Sequence, residues 1–417
     1  MIPDKRHLRI GLIGFGCVGQ GLYDILQHQP EFGAAITRIA VKNPNKIRPL
    51  PAERFDYQAD DLLTDPDLDV LVEVIDDAQE AFRLVSLALR QGRQVVTANK
   101  AMIAKHLPEL VQLQQQHGGT LLYEASVCGS IPVIRTLESY FGSEPLHSVS
   151  GIFNGSSNYV LTRMTEAGST YAAALAEAQA KGFAETDPSL DMGAFDPRSK
   201  AVILAAHAYG LLLHPDAVLN LGIENISAPD IQYAKELGYK IKVVASLQRL
   251  ADGQVTALVT PQFVGPASPL YTVEREFNGV LVEAAYAGTQ FLSGRGAGGH
   301  PTGSAVLADL AALRNGYQYP YAKLAAAQPE YTTDVELEIY LRTPDDTLRS
   351  ALGLVDDALN GGAASLPYVV GYVRLATLLQ YCGQLRAAGA FVARTGNVRA
   401  LTPATGVWTT RALATTV

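Results

Sequence analysis

Apolar residues form two kinds of segment over the first third of the chain. Short apolar runs predict β-strands, and apolar positions three or four residues apart predict helices. Strands separated by helices indicate parallel βαβ units in a Rossmann-type, doubly wound α/β sheet. The predicted elements are the strands Leu8–Ile13, Ile36–Val41, Asp69–Ile75, Gln94–Thr97 and Thr120–Tyr123 and the helices Val18–His28, Ala78–Gln91 and Ala101–His117.

The pattern changes near residue 132, where helices and strands no longer alternate regularly. A helix predicted over Ser304–Asn315 follows a glycine-rich segment, and we expect it to pack back on the first domain. We therefore predict a dinucleotide-binding domain over 1–133 and 304–330, with an inserted α+β substrate-binding and dimerisation domain over 134–303. The inserted domain is predicted to contain the strands Val149–Phe153, Lys240–Leu250, Gln254–Val259 and Gly279–Tyr286 and the helices Tyr171–Lys181 and Ser199–Gly210.

A third, smaller unit is predicted over residues 331–417. Two apolar runs, VELEIYLR and YVVGYV, indicate strands, and helices are predicted over Thr347–Leu359 and Thr377–Ala387. FVAR or VRAL is the candidate for a final strand. This order is typical of a small α+β module of ferredoxin type.

Composition and charge narrow the class of protein. The 417 residues carry a formal net charge of −8, which does not favour binding to nucleic acid or to anionic membranes. The three cysteines form no CxxC pair, which suits a reducing cytosol. No uninterrupted apolar stretch reaches membrane-spanning length, and the short N-terminal apolar run does not resemble a signal peptide. We expect a cytoplasmic protein with a small-molecule partner.

The stretch RIGLIGFGCVGQG places glycines 14, 16 and 19 where the first strand ends and the first helix begins. The first glycine of such a motif allows the tight turn, the second lets a pyrophosphate approach the backbone, and the third lets helix and strand pack closely. The helix N-terminus then faces the phosphates. Because the motif has the required strand–turn–helix context, it predicts dinucleotide binding. The alternative is a glycine-rich turn without a ligand.

The second strand is followed by basic residues rather than by an acid. An acidic side chain at this point would hold the ribose 2′-hydroxyl of NAD, whereas Lys42, Lys46 and Arg48 suit a 2′-phosphate. The pattern favours NADP, with NAD possible. The alternative is a solvated basic turn.

Five segments, in the same order, resemble the homoserine dehydrogenase family. They are VVTANKAMIA (95–104), EASVCGSIPVIRTL (124–137), GIFNGSSNYVLTRM (151–164), KGFAETDPSLDMGAFDPRSKAVILA (181–205) and GAGGHPTGSAV (296–306). The resemblance implies reversible NAD(P)H-dependent reduction of L-aspartate 4-semialdehyde to L-homoserine, a step of threonine, methionine and isoleucine biosynthesis. It also implies a homodimer or larger homo-oligomer, and the C-terminal unit lies where many members carry an ACT domain.

The resemblance assigns the substrate residues. Lys200 matches the proton donor and Asp196 a substrate contact, and their spacing puts both on one face of a helix. Glu185 matches the glutamate that binds the amino end of the substrate, Asp191 a further acid, and Ser156 is our choice for the substrate carboxylate. The alternative for the Asp196–Lys200 pair is a surface salt bridge.

Lys100 follows a strand end, where open parallel sheets bind ligands. The resemblance puts it between cofactor and substrate, as a binding or proton-handling residue, and we expect Lys100 and Lys200 to converge on the oxygen that gains charge. The predicted cofactor residues are Gly14, Phe15, Gly16, Cys17, Val18, Gly19, Lys42, Asp76, Thr97, Lys100, Gly182 and Gly298.

A monovalent cation, usually sodium, is implied by the resemblance alone. Backbone carbonyls matching Val127, Gly129 and Ile131 hold it, with Glu124 nearby. Oxygen ligands of this kind suit a hard cation. Its expected task is to fix a hinge loop.

The chain also departs from the family pattern. Asp76 and Asp77 replace a glycine pair, Phe183 stands where tyrosine is frequent, and Cys17 replaces a common threonine. No histidine partner is evident for Cys128, so a structural role is favoured over a thiol-based mechanism. Two other functions stay open: a dehydrogenase for another small amino-acid aldehyde, and a catalytically decayed protein that binds NADP or an effector for regulation.

Overall fold

The computed structural model describes residues 7–354, 359–361, 367–400 and 409–410. Its strands, in chain order, are β1 (Leu8–Ile13), β2 (Ala34–Ala40), β3 (Val70–Glu73), β4 (Gln94–Thr97), β5 (Thr120–Leu122), β6 (Leu146–Ile152), β7 (Leu219–Asn220), β8 (Lys240–Arg249), β9 (Val255–Val264), β10 (Phe277–Ala284), β11 (Gly288–Arg295), β12 (Val335–Arg342), β13 (Leu359–Gly361), β14 (Tyr368–Arg374), β15 (Phe391–Ala400) and β16 (Thr409–Thr410).

The α-helices of the same residues range from single turns to five turns. In chain order they are α1 (Cys17–His28), α2 (Asp60–Leu63), α3 (Ala78–Arg90), α4 (Lys100–His117), α5 (Val133–Arg135), α6 (Gly155–Ala167), α7 (Tyr171–Ala180), α8 (Ser189–Met192), α9 (Phe195–Tyr209), α10 (Ala228–Glu236), α11 (Gly299–Arg314), α12 (Ala322–Ala325), α13 (Asp346–Ala351) and α14 (Leu375–Ala387). A π-helical turn, Thr136–Tyr140, continues α5.

The first compact unit comprises Met1–Tyr140 and Gly294–Tyr321. Its sheet has the order β2-β1-β3-β4-β5, and every pairing in it is parallel. Strands of such a sheet are apolar on both faces because helices cover both sides, and Ile10, Leu12 and Val72 are fully buried. The predicted Rossmann-type α/β class is confirmed.

The second compact unit comprises Phe141–Ser293 and Ala322–Val417. Its mixed sheet has the order β11-β10-β6-β8-β9-β15-β12-β14-β13, with β7 paired to β9 and β16 to β15. Helix α9 is buried along most of its length, which explains why its sequence shows little amphipathic alternation. The unit therefore surrounds the segment that carries Asp196 and Lys200.

The C-terminal strands and helices have the predicted α+β order, but they share a core with the rest of the second unit. Strand β15 meets β9 at the pair Arg394 and Gln262. Leu219 and Leu258 belong to the same apolar cluster as Leu337 and other side chains of the C-terminal segment. The domain boundaries predicted from the sequence and the ACT-like character of residues 331–417 stay predictions.

Differences from the predicted elements have local causes. Helix α11 begins at Gly299, five residues before the predicted start, and its glycines allow close contact with α1: a Cβ on Gly303 would lie 2.8 Å from the amide nitrogen of Leu22. Helix α13 ends at Ala351 because Gly353, with φ +75°, breaks it. Leu359 lies in β13 instead, residues 355–358 lie outside the described residues, and so does the end of VRAL.

Candidate active site

Two of the three glycines in the first βα turn are required by the fold itself. Gly14 has φ +103°, and a Cβ on it would lie 2.8 Å from the carbonyl oxygen of Val74. A Cβ on Gly19 would lie 2.5 Å from the carbonyl oxygen of Gly14. Gly14 thus permits the turn, and Gly19 permits the close approach of helix and strand.

Gly16 has a different environment. A Cβ there would meet no atom within 4 Å, so packing does not require glycine at this position. Gly16 is the N-cap of α1, it offers no capping side chain, and the first turn of α1 contains no acidic residue. The first amide groups of a helix lack intrahelical acceptors and favour anions. An open space beside such amides fits a pyrophosphate.

Phe15, Cys17 and Val18, three further cofactor candidates, lie at this turn or at the start of α1, whereas Gly298 lies at another helix start. Phe15 is buried, and its ring packs against Tyr23 and Phe55 at centroid distances of 5.8 and 5.4 Å. Cys17 is exposed, and Val18 is half-buried. Gly298, with φ +117°, is the N-cap of α11.

The basic loop after β2 is partly preorganised. The Arg48 guanidinium donates to the carbonyl oxygens of Asn43 and Lys46 at 2.8 and 2.9 Å and lies 5.2 Å from the Phe55 ring centroid. Lys42 and Lys46 are exposed. Arg48 therefore lies beside Phe55, whose ring packs against Phe15, and the 2′-phosphate site stays a prediction.

A buried carboxyl group, missed in the sequence analysis, connects the ends of β3 and β4. Glu73 is 1% exposed; it accepts from the amide of Ile75 at 2.7 Å and from the Thr97 hydroxyl at 2.5 Å. Thr97 Oγ1 accepts from the amide of Asn99 at 3.0 Å. Burial raises the pKa of Glu73 to about 7. A single acid in the apolar run DVLVEVI was the available signal.

This network fixes the backbone in front of Lys100. The Asn99 side chain donates to the carbonyl of Ile75 at 3.1 Å and caps α4 by accepting from the amide of Met102 at 3.0 Å. Lys100, half-buried, is the first residue of α4. The Thr97 hydroxyl is thus engaged by Glu73 and by the Asn99 amide, and a cofactor contact of Thr97 stays a prediction.

The two aspartates that replace the glycine pair have different surroundings. Asp77 is the N-cap of α3 and accepts from the amides of Gln79 and Glu80, both at 3.1 Å. Asp76 is exposed, and its charge contributes to the raised pKa of Glu73. Asp77 thus caps a helix, and Asp76 is the one of the two that stays a candidate for cofactor contact.

The predicted cation loop has an unusual backbone. Cys128 and Gly129 both have positive φ, at 56° and 54°. A Cβ on Gly129 would lie 2.6 Å from the carbonyl oxygen of Gly296, and the Ser130 amide donates to the carbonyl of Arg295 at 3.1 Å. The carbonyl of Ile131 accepts from the amide of Val133 at 2.8 Å. Carbonyl oxygens suit a hard cation, and the sodium site on this tethered loop stays a prediction.

Glu124 contributes chiefly to the scaffold of this loop. Its two carboxylate oxygens accept from the amides of Ile134 and Arg135 at 2.8 and 2.7 Å. Its own amide donates to Asp309, whose carboxylate also forms an ion pair with Arg135 at 2.5 Å. Burial raises the pKa of Glu124 to about 8 and that of Asp309 to about 7. Asp309 escaped the sequence analysis because it lies far along the chain.

The second unit brings the predicted proton donor and acid together. The Lys200 ammonium donates to Asp196 Oδ2 at 2.8 Å and to the carbonyl of Phe153 at 2.7 Å. Both side chains are buried, at 8% and 4% exposure. The i,i+4 pair is therefore not a surface salt bridge, since desolvated charges of this kind need paired partners to persist.

Asn154 joins this pair to the third predicted acid. Its side-chain amide donates to Asp191 Oδ1 and to Asp196 Oδ2, both at 2.8 Å, and its carbonyl oxygen caps α6 at the Ser157 amide. Burial raises the pKa of Asp191, the charge of Asp196 raises it further, and the hydrogen bond from Asn154 opposes the rise. The sequence analysis quoted NGSSN but selected only Ser156 from it.

The remaining predicted substrate residues are less tightly engaged. The Ser156 hydroxyl donates to the carbonyl of Phe183 at 2.6 Å, which leaves its oxygen as an acceptor. Glu185 is exposed and lies outside the hydrogen-bonded cluster. Gly182 is exposed, and its φ of +73° closes the turn after α7.

Comparison with known proteins assigns both halves of this arrangement to one family. A model described as homoserine dehydrogenase matches residues 132–311, and one described as its NAD-binding domain matches residues 14–124. The chain is 37% identical to a homoserine dehydrogenase of Synechocystis over 314 residues, which is 73% of this chain and 72% of that protein. The chain belongs to the homoserine dehydrogenase family. It is accordingly an NAD(P)-dependent oxidoreductase.

Other members of the family support the same assignment. The homoserine dehydrogenase of Bacillus subtilis is 35% identical over 79% of this chain and 78% of its own. The solved structure from Thiobacillus denitrificans has a TM-score of 0.78 and 28% identity, and covers 93% of this chain and 97% of its own. A hyperthermophilic archaeal member, solved in complex with NADPH, has a TM-score of 0.63 and 26% identity over 75% of this chain and 99% of its own.

The described residues lack two kinds of feature. No cluster of three or more histidine, cysteine, aspartate or glutamate side chains suited to a metal ion occurs in the described ranges. Among the helices of that part of the chain, none has the length and apolar character needed to cross a bilayer.

Glu73 makes the stability of the protein depend on pH. Because its pKa is about 7 in the fold and near 4.5 in an unfolded chain, the folded protein retains the proton over that interval, and stability falls as pH rises. Glu73→Gln cannot ionise. The free energy of unfolding of Glu73→Gln minus that of wild type should increase by about 2 to 3 kcal/mol as the pH rises from 5 to 8.

Urea unfolding at the two pH values measures this difference. Glu31→Gln, which removes an exposed carboxyl group, is the control. A pH-independent difference for Glu73→Gln would show that this carboxyl group does not titrate between folded and unfolded states as stated.

Proposed function

We propose that this chain catalyses the reversible reduction of L-aspartate 4-semialdehyde by NADPH, which yields L-homoserine and NADP⁺. One hydride adds to the aldehyde carbon and one proton to its oxygen. The observation that carries the proposal is the buried cluster of Lys200, Asp196 and Asn154 in a member of this family. NADPH, when bound, supplies the hydride.

Lys200 is proposed as the proton donor. An ammonium group has three donors, and the contacts to Asp196 and Phe153 use two of them. The third N–H is available to the aldehyde oxygen, where negative charge develops. A donor fixed in advance stabilises that charge without reorganisation during the reaction.

The acids are proposed to bind the amino end of the substrate. Asp191 and Asp196 accept from the same amide of Asn154, so their carboxylates lie side by side and favour an ammonium ligand. Glu185 is proposed as a further partner of the ammonium, and Ser156 as a partner of the substrate carboxylate. We also propose that Lys100 takes part in the same reaction. Its convergence with Lys200 stays a prediction.

The other proposals concern cofactor, cation and assembly. Lys42 and its basic neighbours support NADP over NAD. The carbonyls of Val127, Gly129 and Ile131, with Glu124 holding the adjoining helix start, support a sodium ion that fixes their loop. The family supports a homo-oligomer, at least a dimer, that works in the cytoplasm in the synthesis of threonine, methionine and isoleucine.

The proposed reaction is tested by NADPH oxidation after aspartate 4-semialdehyde is added. Wild type should turn over, and Lys200→Ala should lose activity by about 10²- to 10⁴-fold because the proton donor is removed. NADPH binding, measured by fluorescence, should be unchanged. Lys235→Ala, an exposed lysine of α10, is the control and should remain active.

Each other outcome has a distinct meaning. Near-normal activity of Lys200→Ala would remove the proton-donor assignment. Turnover of wild type only with another amino-acid aldehyde would favour a related dehydrogenase. NADPH binding without any turnover would favour a regulatory protein.

Cofactor preference is tested at the basic loop. Lys42→Glu should raise KM for NADPH at least about tenfold, because it replaces a charge-assisted phosphate contact by repulsion, and should change KM for NADH little. Lys105→Glu, an exposed lysine of α4, is the control for net charge. Equal effects of Lys42→Glu on both cofactors would remove the argument for a 2′-phosphate site.

A further inference from the structure

Arg386, on helix α14 of the C-terminal segment, reaches the turn in front of the proposed proton donor. Its Nη2 donates to the carbonyl oxygen of Asn220 at 2.6 Å and to that of Gly193 at 3.3 Å. Its Nε lies 3.7 Å from the carboxylate of Glu224. The guanidinium thus connects the end of β7 to the residue two positions before α9.

The same guanidinium covers the first residue of α9. The Phe195 ring is contacted by both Arg386 and Arg198, whose guanidinium carbons are 4.8 and 5.1 Å from the ring centroid. Phe195 directly precedes Asp196, and Lys200 follows one turn later. A planar guanidinium that stacks on an aromatic ring fixes the orientation of that ring.

The turn that Arg386 contacts needs external support. Ala194, the N-cap of α9, has φ +60° and ψ 26°, a left-handed conformation that is costly for a residue with a Cβ. The carbonyl of Gly193 also accepts from the Asn220 side chain at 2.7 Å. The carbonyl of Met192 accepts from the amide of Ile223 at 2.8 Å. Residues at and after β7 therefore hold this turn by hydrogen bonds. Arg386 binds a carbonyl of each segment, that of Gly193 in the turn and that of Asn220 in β7.

We infer that Arg386 is a positioning residue for the reaction: it fixes the start of α9 through Gly193, Asn220 and Phe195, and so sets the orientation of Asp196 and Lys200. The inference rests on the proposed function. It gives the C-terminal segment a part in catalysis, since α14 supplies a contact on which the geometry of the cluster depends.

A purely stabilising role of Arg386 makes a different prediction. Helix α14 is anchored independently by Leu375, Leu378 and Leu385, which are fully or almost fully buried in the apolar cluster of the C-terminal segment. Loss of Arg386 should therefore leave the helix docked. A positioning role lowers kcat in the folded enzyme, whereas a stabilising role lowers only the melting temperature.

The test compares full-length Arg386→Met and Arg386→Lys with wild type in aspartate 4-semialdehyde reduction. We expect kcat of Arg386→Met to fall roughly 10- to 100-fold at saturating substrate, because small misplacements of catalytic groups have effects of this size. NADPH affinity should be unchanged. Arg386→Lys retains the charge but not the fork of donors, so its kcat should lie between that of wild type and that of Arg386→Met.

Arg399→Met is the matched control. Its guanidinium stacks 3.5 Å from the Tyr372 ring centroid, within the sheet of the C-terminal segment. It should keep wild-type kcat. The inference is overturned if folded Arg386→Met keeps wild-type kcat, or if Arg399→Met loses as much.

A second readout does not depend on activity. Hydrogen exchange of the peptide spanning 193–200 should be faster in Arg386→Lys than in wild type, and unchanged exchange overturns the inference. If exchange is faster in Arg386→Lys than in wild type but wild type does not reduce aspartate 4-semialdehyde, the proposed function fails and the positioning contact stands.

Discussion

The geometry of the proposed active site depends on one buried ion pair, between Asp196 and Lys200. Charges removed from water are stable only when their partners and hydrogen bonds are in place, so this pair constrains everything around it. Helix α9 sets the i,i+4 spacing. The Phe153 carbonyl accepts a second hydrogen bond from the ammonium, and the Asn154 side-chain amide donates to the carboxylate. Apolar residues at these positions could stabilise the fold equally well, so the pair favours a functional role over a purely stabilising one.

The loops that follow strands are held by one recurring device. In each case a buried carboxylate or amide side chain accepts from backbone amides of a loop or helix start. Glu73 does so for the loop after β3, Glu124 for the helix at Val133, and Asn154 for α6. Buried polar side chains thus satisfy backbone amides at the positions where cofactor, cation and substrate are proposed to bind. Leaving those amides buried without an acceptor would be costly.

Much of the first unit was predictable because its signals are local. The glycine turn, the alternation of strands and helices, and the position of Lys100 follow from neighbouring residues. Asp309, Asn154 and Arg386 were not predictable in this way, since their partners lie far apart in sequence. The start of α11 was missed because its glycine-rich sequence resembles a loop. In the structure the glycines allow close packing of α11 against α1, at Gly303 and Gly21. The shared core of the C-terminal segment depends on contacts with Leu219 and Leu258, which no local pattern reveals.

The coupling of Asp196 and Lys200 is tested by a double-mutant cycle on kcat with Asp196→Asn, Lys200→Met and the combined variant. If the pair acts as one unit, each single variant loses most of the activity, and the double variant is within a few fold of the worse single variant. If the two losses multiply in the double variant, Asp196 and Lys200 act independently, and the account of the site is contradicted.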